Sequence, residues 1–284
     1  MKTKNAMQLK AVIKNKAVET GVSAQLVLQN YLMERLLERM ALSEYKNNFI
    51  IKGGFLLSSM IGLHKRTTMD IDATVKGISV DHENIRKIFE EICMIEIDDD
   101  LSFKVLSTID IRESDDYPGI RINLKAEYEK LGVPIIVDVS TGDKITPSEV
   151  KYKFKLMFEE RHITLPAYNT ETILAEKLET ILSRSVANTR PRDFYDLYVL
   201  YNFKINELSP KSLKSAITAT LTRRNSLHVL QNYRNITSQI LKDSRMVSQW
   251  ESYRRKFNYA SDISFEETID TVEKLMELSL FDVS

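Results

Sequence analysis

The chain has 284 residues, of which 43% are hydrophobic and 28% charged, so it can bury a sizeable core and is too apolar for wholesale disorder; its length predicts two lobes. The single Cys93 excludes an intramolecular disulfide framework and fits a reducing cytoplasm, where it reads as a small core residue in the run from Ile88 to Ile97. No apolar run approaches the ~20 residues that cross a bilayer, and the N-terminus lacks the apolar core of a secretory signal, so a cytoplasmic protein without a membrane segment is expected. The formal net charge of zero hides an asymmetry: Asp81 to Glu129 holds 14 acidic and 6 basic residues, a balance of −8, and Lys177 to Asn258 holds 15 basic and 6 acidic, a balance of +9. The C-terminal half therefore offers a basic face to nucleic acid; the alternatives are solvated helical surfaces of compensating charge, or an interface between the lobes.

Residues 4–45 read as helical, most clearly from Ser23, a cap preceding Leu26, Val27, Tyr31, Leu32, Leu36, Leu37 and Met40 at helix spacing. A glycine-opened helix over 53–63 and a strand over 69–75 follow. Asp81 caps a helix whose apolar face is Ile85, Ile88, Phe89 and Ile92. Alternation predicts strands over 103–111 and 120–128, and after a turn at Gly132-Val133-Pro134 a buried strand from Ile135 to Ser140. Thr146-Pro147-Ser148-Glu149 has the spacing of a capping box with proline at the first helical position and predicts a helix to about Phe158, with a short strand at 162–165 after it. From there the pattern is helical: Thr170–Arg184, Arg192–Tyr201, Pro210–Leu221, Ser244–Phe257, and a last helix from a Ser264-x-x-Glu267 box to about Leu278. The expected class is α+β, with a first lobe over 1–165 and a helical lobe over 166–284.

The stretch from Lys52 to Asp72, KGGFLLSSMIGLHKRTTMDID, carries the chemistry. Gly53 and Gly54 let backbone approach a phosphate at a helix N-terminus, where N–H groups and the helix dipole favour anions. Asp70 and Asp72 lie on one face of a strand, and two adjacent carboxylates call for a cation, Mg²⁺ being suited by its hard oxygen ligands and its retained positions for substrate phosphates. Asp138, set in an apolar strand, is the candidate third carboxylate; the alternative is a strand-end aspartate capping a neighbouring turn. Lys177 flanks the apolar face Ile173, Leu174, Leu178, Ile181 and Leu182 and has the charge to hold a triphosphate, the alternative being a surface lysine paired with Glu171, Glu176 or Glu179. In Arg190-Pro-Arg192-Asp193-Phe-Tyr-Asp196, the two aspartates share a helix face at i, i+3, one placed to hold a catalytic basic residue and the other to brace Arg184 or Arg192, the alternative being an aspartate that simply caps the helix.

Taken in order, GlyGly followed by Arg66-Thr-Thr-Met-Asp70-Ile-Asp72, then IleIleValAsp138ValSerThrGlyAsp, Ala175-Glu-Lys177-Leu and ArgAsp193PheTyrAsp196LeuTyr resemble the AbiEii/AbiGii family of nucleotidyltransferase toxins over residues 50–200. The resemblance implies a DNA polymerase β-like nucleotidyltransferase lobe with a mixed sheet and a mostly helical C-terminal lobe. It gives Gly53 and Gly54 to the nucleotide phosphates, Asp70 and Asp72 to Mg²⁺ with Asp138 as third carboxylate, Lys177 to the triphosphate and Asp193 to an essential acidic role; Arg66 matches the basic residue ahead of the aspartates and is placed to touch a phosphate. Where many members carry Ser or Thr after the glycine pair, this chain has Phe55, so Ser58 or Ser59 replaces that hydroxyl or the contact is not made.

The implied activity is Mg²⁺-dependent transfer of a nucleoside monophosphate from a nucleoside triphosphate to RNA, the tRNA 3′ end first among acceptors. The implied setting is abortive phage infection beside a winged-helix antitoxin that forms no stable complex. Two other readings stand next to it: the same chemistry on a protein or small molecule, and a non-catalytic module that binds a nucleotide or partner and works by occupancy.

Overall fold

The first compact unit of the chain, Met1–Asp143 with Val150–Ala167, is built on a seven-stranded mixed sheet. In a computed structural model that describes residues 2–111 and 119–280, its elements run α1 (Ala6–Thr20), α2 (Ala24–Leu42), β1 (Phe49–Lys52), α3 (Gly53–Ile61), β2 (Asp70–Val75), α4 (His82–Cys93), β3 (Ser102–Asp110), β4 (Gly119–Tyr128), β5 (Leu131–Ser140), β6 (Val150–Lys155) and β7 (His162–Ala167). Residues 112–118 of the acidic stretch lie outside the described residues. The strand order is β3-β4-β5-β2-β1-β7-β6; β2 pairs with β5, and β1 with β7, in parallel, and the remaining neighbours are antiparallel.

Side chains alternate across a sheet, so register decides what each face carries. Ile51, Ala73, Val139 and Ile120 fall in one row across β1, β2, β5 and β4, and all are buried. Helix α4 covers this apolar face with Ile85, Ile88, Phe89 and Ile92, and the Phe89 ring meets Phe49 edge-on at 5.6 Å. Each fully buried aliphatic side chain contributes roughly 1.5–3 kcal/mol. The opposite face of the same strands carries the polar residues described below. Helix α2 begins at Ser23, whose hydroxyl accepts from the Leu26 N–H at 3.3 Å, and it also buries charge: Arg39 grips Asp99 with two bonds of 2.9 and 3.0 Å and donates to the Leu101 carbonyl at 2.7 Å.

The second unit, Lys144–Glu149 with Tyr168–Ser284, is helical: α5 (Thr170–Arg184), α6 (Pro191–Lys204), α7 (Pro210–Arg223), α8 (Val229–Lys242), α9 (Ser244–Lys256) and α10 (Phe265–Leu280). Asn169 caps α5, and its amide donates to the Ser148 carbonyl at 2.7 Å, while the Thr146 N–H donates to the Thr172 hydroxyl at 3.0 Å; these bonds fix 144–149 within this unit. Trp250 is buried, donates to the Ile263 carbonyl at 3.1 Å and stacks on Phe265. The box at the start of α10 is reciprocal, Ser264 N–H to Glu267 at 2.7 Å and Glu267 N–H to the Ser264 hydroxyl at 3.1 Å.

The structure corrects two local expectations and adds two elements. Residues 150–155 form strand β6 where the capping-box spacing predicts a helix; Val150, Tyr152 and Phe154 alternate with Lys151, Lys153 and Lys155, and that period of two prevails. Gly132, Val133 and Pro134 lie inside β5, paired with Glu127, Ala126 and Lys125; the turn is one step earlier, where Glu129 takes a φ of 51°. Strand β1, only four residues long, and helix α8 are additions to the predicted set.

Glu34 on α2 yields a test of this core. It accepts from the Asn30 amide at 2.9 Å and the Met157 N–H at 3.1 Å, yet burial pushes its carboxyl up from 4.5 to about 7. The folded protein therefore holds a proton that the unfolded chain releases, and stability from this group falls as pH rises from the unfolded value through about 7. Thermal unfolding of Glu34→Gln should show little difference from the parent near pH 5 and a stability advantage that opens by about 1–3 kcal/mol by pH 8; a constant offset across that range would refute the assignment.

Candidate active site

The polar face of the first unit is organised by register. Arg121 on β4 stands opposite Asp138 on β5, Asp138 opposite Asp72 on β2, and Asp72 opposite Lys52 on β1. A row of charges, plus, minus, minus, plus, thus crosses adjacent strands. Asp70, two residues before Asp72, shares its face and is the register partner of Ile136. Asp70, Asp72 and Asp138, taken from two segments more than sixty residues apart, come together here because β2 and β5 run parallel in the same sheet.

The Gly-Gly turn sits against these carboxylates. Gly53 has a φ of 65°, and a Cβ placed on it would lie 1.9 Å from Asp72 Oδ2. A Cβ on Gly54 would lie 2.6 Å from the Thr68 hydroxyl, which itself donates to Asp70 Oδ1 at 2.7 Å. The absence of side chains therefore admits Asp72 at Gly53 and Thr68, the partner of Asp70, at Gly54, a role additional to the phosphate contact expected from sequence. The Gly54 N–H donates to Asp72, so the first turn of α3 stabilises that carboxylate through a hydrogen bond and the helix dipole. Burial nevertheless raises Asp72 first, and Asp70 and Asp138 add like charge; Lys52 opposes them, and the carboxyl stands at about 6.

Lys52 and Arg121 were not apparent from sequence. Lys52 is buried, donates to the Ser140 hydroxyl at 2.8 Å and pairs with Asp143, which also accepts from Thr74. Arg121 holds Asp138 bidentately, Nε to Oδ1 and Nη2 to Oδ2, both at 2.8 Å. The alternation of β4 was the available signal for Arg121, since Arg121, Asn123 and Lys125 occupy the face that Ile120, Ile122 and Leu124 do not.

The other sequence candidates fall as follows. Arg66 is buried beside Gly54, its Nη2 3.5 Å from where a Cβ would stand, and donates to the Thr67 carbonyl. Phe55 is a core residue packed on Phe154 at 5.9 Å; Ser58 is buried on α3, and Ser59 donates to the Tyr152 hydroxyl at 3.3 Å. In the second unit, Lys177 of α5 lies between Asp193 and Asp196 of α6 at 2.8 and 2.7 Å. Burial disfavours its charge, but the two carboxylates outweigh burial and hold the ammonium above its ordinary range. Asp193 and Asp196 thus both engage Lys177, and Glu176 and Glu179 pair with Arg224 at 3.7 and 2.6 Å.

With this geometry established, comparison with known proteins is decisive. The family described as nucleotidyl transferase AbiEii toxin, type IV TA system, matches residues 35–271. The chain belongs to the AbiEii family. Among solved structures, a provisionally assigned nucleotidyltransferase from H. pylori aligns with a TM-score of 0.51 at 17% identity, over 91% of this chain and 96% of that one. JHP933 from Helicobacter pylori aligns at 0.51 and 16% identity, over 90% and 92%. At such identities the likeness shows the fold, α+β with a mixed sheet. No curated protein matches the chain.

AbiEii membership makes the chain a nucleotidyltransferase and a toxin of a toxin–antitoxin system, with a nucleoside triphosphate as substrate and an antitoxin as partner. The family typically employs a divalent metal, and Asp70 and Asp72 fit one: they offer hard oxygen donors on one face, beside the like charge of Asp138. Asp138 is a different case, because Arg121 takes both its oxygens. Among the described residues no group of three His, Cys, Asp or Glu is set to hold a metal ion. Nor is any helix among them long and apolar enough to cross a membrane.

Two substitutions probe this construction. Gly53→Ala forces a Cβ into the Asp72 carboxylate at a left-handed φ, and is expected to lower the melting temperature by several degrees and to abolish nucleotidyl transfer. Lys177→Met removes the cation shared by Asp193 and Asp196 and should cost about 3–5 kcal/mol in denaturant unfolding; a loss below about 1 kcal/mol would mean that the clamp is solvated.

Proposed function

We propose that this toxin transfers a nucleoside monophosphate from a nucleoside triphosphate to RNA, with the tRNA 3′ end as acceptor, in a Mg²⁺-dependent reaction. The observation that carries this reading is the convergence of Asp70, Asp72 and Asp138 on one sheet face beside the glycine turn. Asp70 and Asp72 would hold the divalent ion, which when bound would supply Lewis-acid stabilisation of the charge that develops in the transfer. The protein's own contribution is to hold the donors: Thr68 orients Asp70, the Gly54 N–H orients Asp72, and the α3 N-terminus adds a field favourable to the nucleotide phosphates. Lys177, fixed by Asp193 and Asp196, is assigned to the triphosphate, where its charge gains value as pyrophosphate departs. Arg66, buried at the same turn, and Ser58 on α3 are assigned to the phosphates with Gly53 and Gly54.

RNA is favoured by the +9 balance of Lys177 to Asn258. The biological setting proposed is abortive phage infection in the cytoplasm, opposed by a winged-helix antitoxin that need not form a stable complex. Incubation with labelled nucleoside triphosphates and total RNA should label RNA with the parent protein and leave it at background with Asp70→Ala; equal labelling by the two would sink the reading. Acceptor binding should weaken steeply with salt, since neutralised phosphates release counterions, whereas a salt-insensitive acceptor would indicate a small molecule. Because a proton on Asp72 competes with a cation, divalent-ion affinity should rise as pH increases through about 6 and level off above about 7 in a calorimetric titration.

A further inference from the structure

The third carboxylate of the site is already spoken for. Arg121 faces Asp138 across the β4–β5 ladder and grips it with a planar fork, Nε to Oδ1 and Nη2 to Oδ2 at 2.8 Å each, a geometry that uses both carboxylate oxygens at once. The side chain of Asp138 is 14% accessible and that of Arg121 35%, so the guanidinium is the more exposed partner of the pair. The charges near the site then fall into sets. Lys52 is engaged with Asp143 and Arg121 with Asp138, which leaves the carboxylates of Asp70 and Asp72 to a divalent ion, with Arg66 a further cation beside the glycine turn.

We infer that Arg121 is a built-in counter-ion that reserves Asp138: with no nucleotide bound, a divalent cation is held by Asp70 and Asp72 alone, and Asp138 becomes a ligand only when the guanidinium leaves it. Arg121 is thereby a positioning residue, acting through Asp138 rather than on the reacting atoms. The chemical group able to draw it away is one whose oxygens offer the same fork an equal grip, and the triphosphate of the substrate is such a group. Nucleotide arrival and recruitment of the third carboxylate are then coupled, and the full ligand set is assembled only in the presence of substrate. The inference rests on the reading that Asp70 and Asp72 hold a divalent cation.

The test is a titration of the full-length protein with Mn²⁺ alone, the free ion being followed by electron paramagnetic resonance. Arg121→Ala leaves Asp138 available and makes the site more negative, so Mn²⁺ should bind on the order of tenfold more tightly than to the parent, within the range usual for coupled sites. The double variant Arg121→Ala with Asp138→Asn removes a neutral pair and should bind within about threefold of the parent. Binding by Arg121→Ala that is unchanged or weaker, or a double variant weakened tenfold or more, would overturn the proposal, since either places Asp138 on the ion from the start. If Arg121→Ala does not yield a folded protein by circular dichroism, Arg121→Lys serves: it keeps the charge and loses the fork, so tighter binding supports the reservation and unchanged binding overturns it. The underlying reading fails separately, through absence of Mn²⁺ binding by the parent or undiminished binding by Asp72→Asn.

Discussion

Two like charges held side by side in a parallel ladder dominate this molecule. Asp72 and Asp138 are register partners on β2 and β5, an arrangement that is unfavourable in an ordinary sheet because side chains opposite one another stand only about 5 Å apart. The surroundings answer that repulsion from several directions. Arg121 binds Asp138 from β4, the first turn of α3 donates to Asp72, and Lys52 adds positive charge from β1 that favours the ionised Asp72. Burial first, and then the like charge of Asp70 and Asp138, still hold the Asp72 carboxyl above its ordinary range, and a cation on this face would relieve both costs.

The glycine turn follows from the same requirement. A carboxylate that caps a helix must approach its backbone closely, and at Gly53 the approach is closer than any Cβ permits. Phe55, which departs from the family's pattern, belongs to a different task. Its ring packs on Phe154 of β6, so α3 is anchored to the edge of the sheet by its third residue while its first two attend to the site. In the helical unit the corresponding solution is inverted: one ammonium is held by two carboxylates, and the pairing keeps it charged in spite of burial.

How much of this was readable in the chain depended on whether the signal was local. Asp70 and Asp72, two apart on a predicted strand, announce a shared face, and the helix caps at Ser23, Asp81 and Ser264 are short-range patterns that the fold reproduces. The family blocks led to the same nucleotidyltransferase class that the family match establishes. Arg121 and Lys52 were not legible, because their significance lies in cross-strand register, which only the assembled sheet defines. Residues 146–158 misled for the opposite reason: a local spacing typical of helix starts preceded a segment whose alternation pairs it with β7. Strand β1, four residues long and apolar up to Lys52, offers no periodicity to read.

One feature of the chain path bears on its evolution. The segment Lys144–Glu149 is stitched to Asn169 and Thr172 of the helical unit although sheet residues lie on both sides of it in sequence. No single crossover in the coding sequence can therefore exchange one unit for that of a relative. Any recombinant must respect three junctions at once, which favours inheritance of the whole enzyme as one block and divergence by point substitution rather than by shuffling.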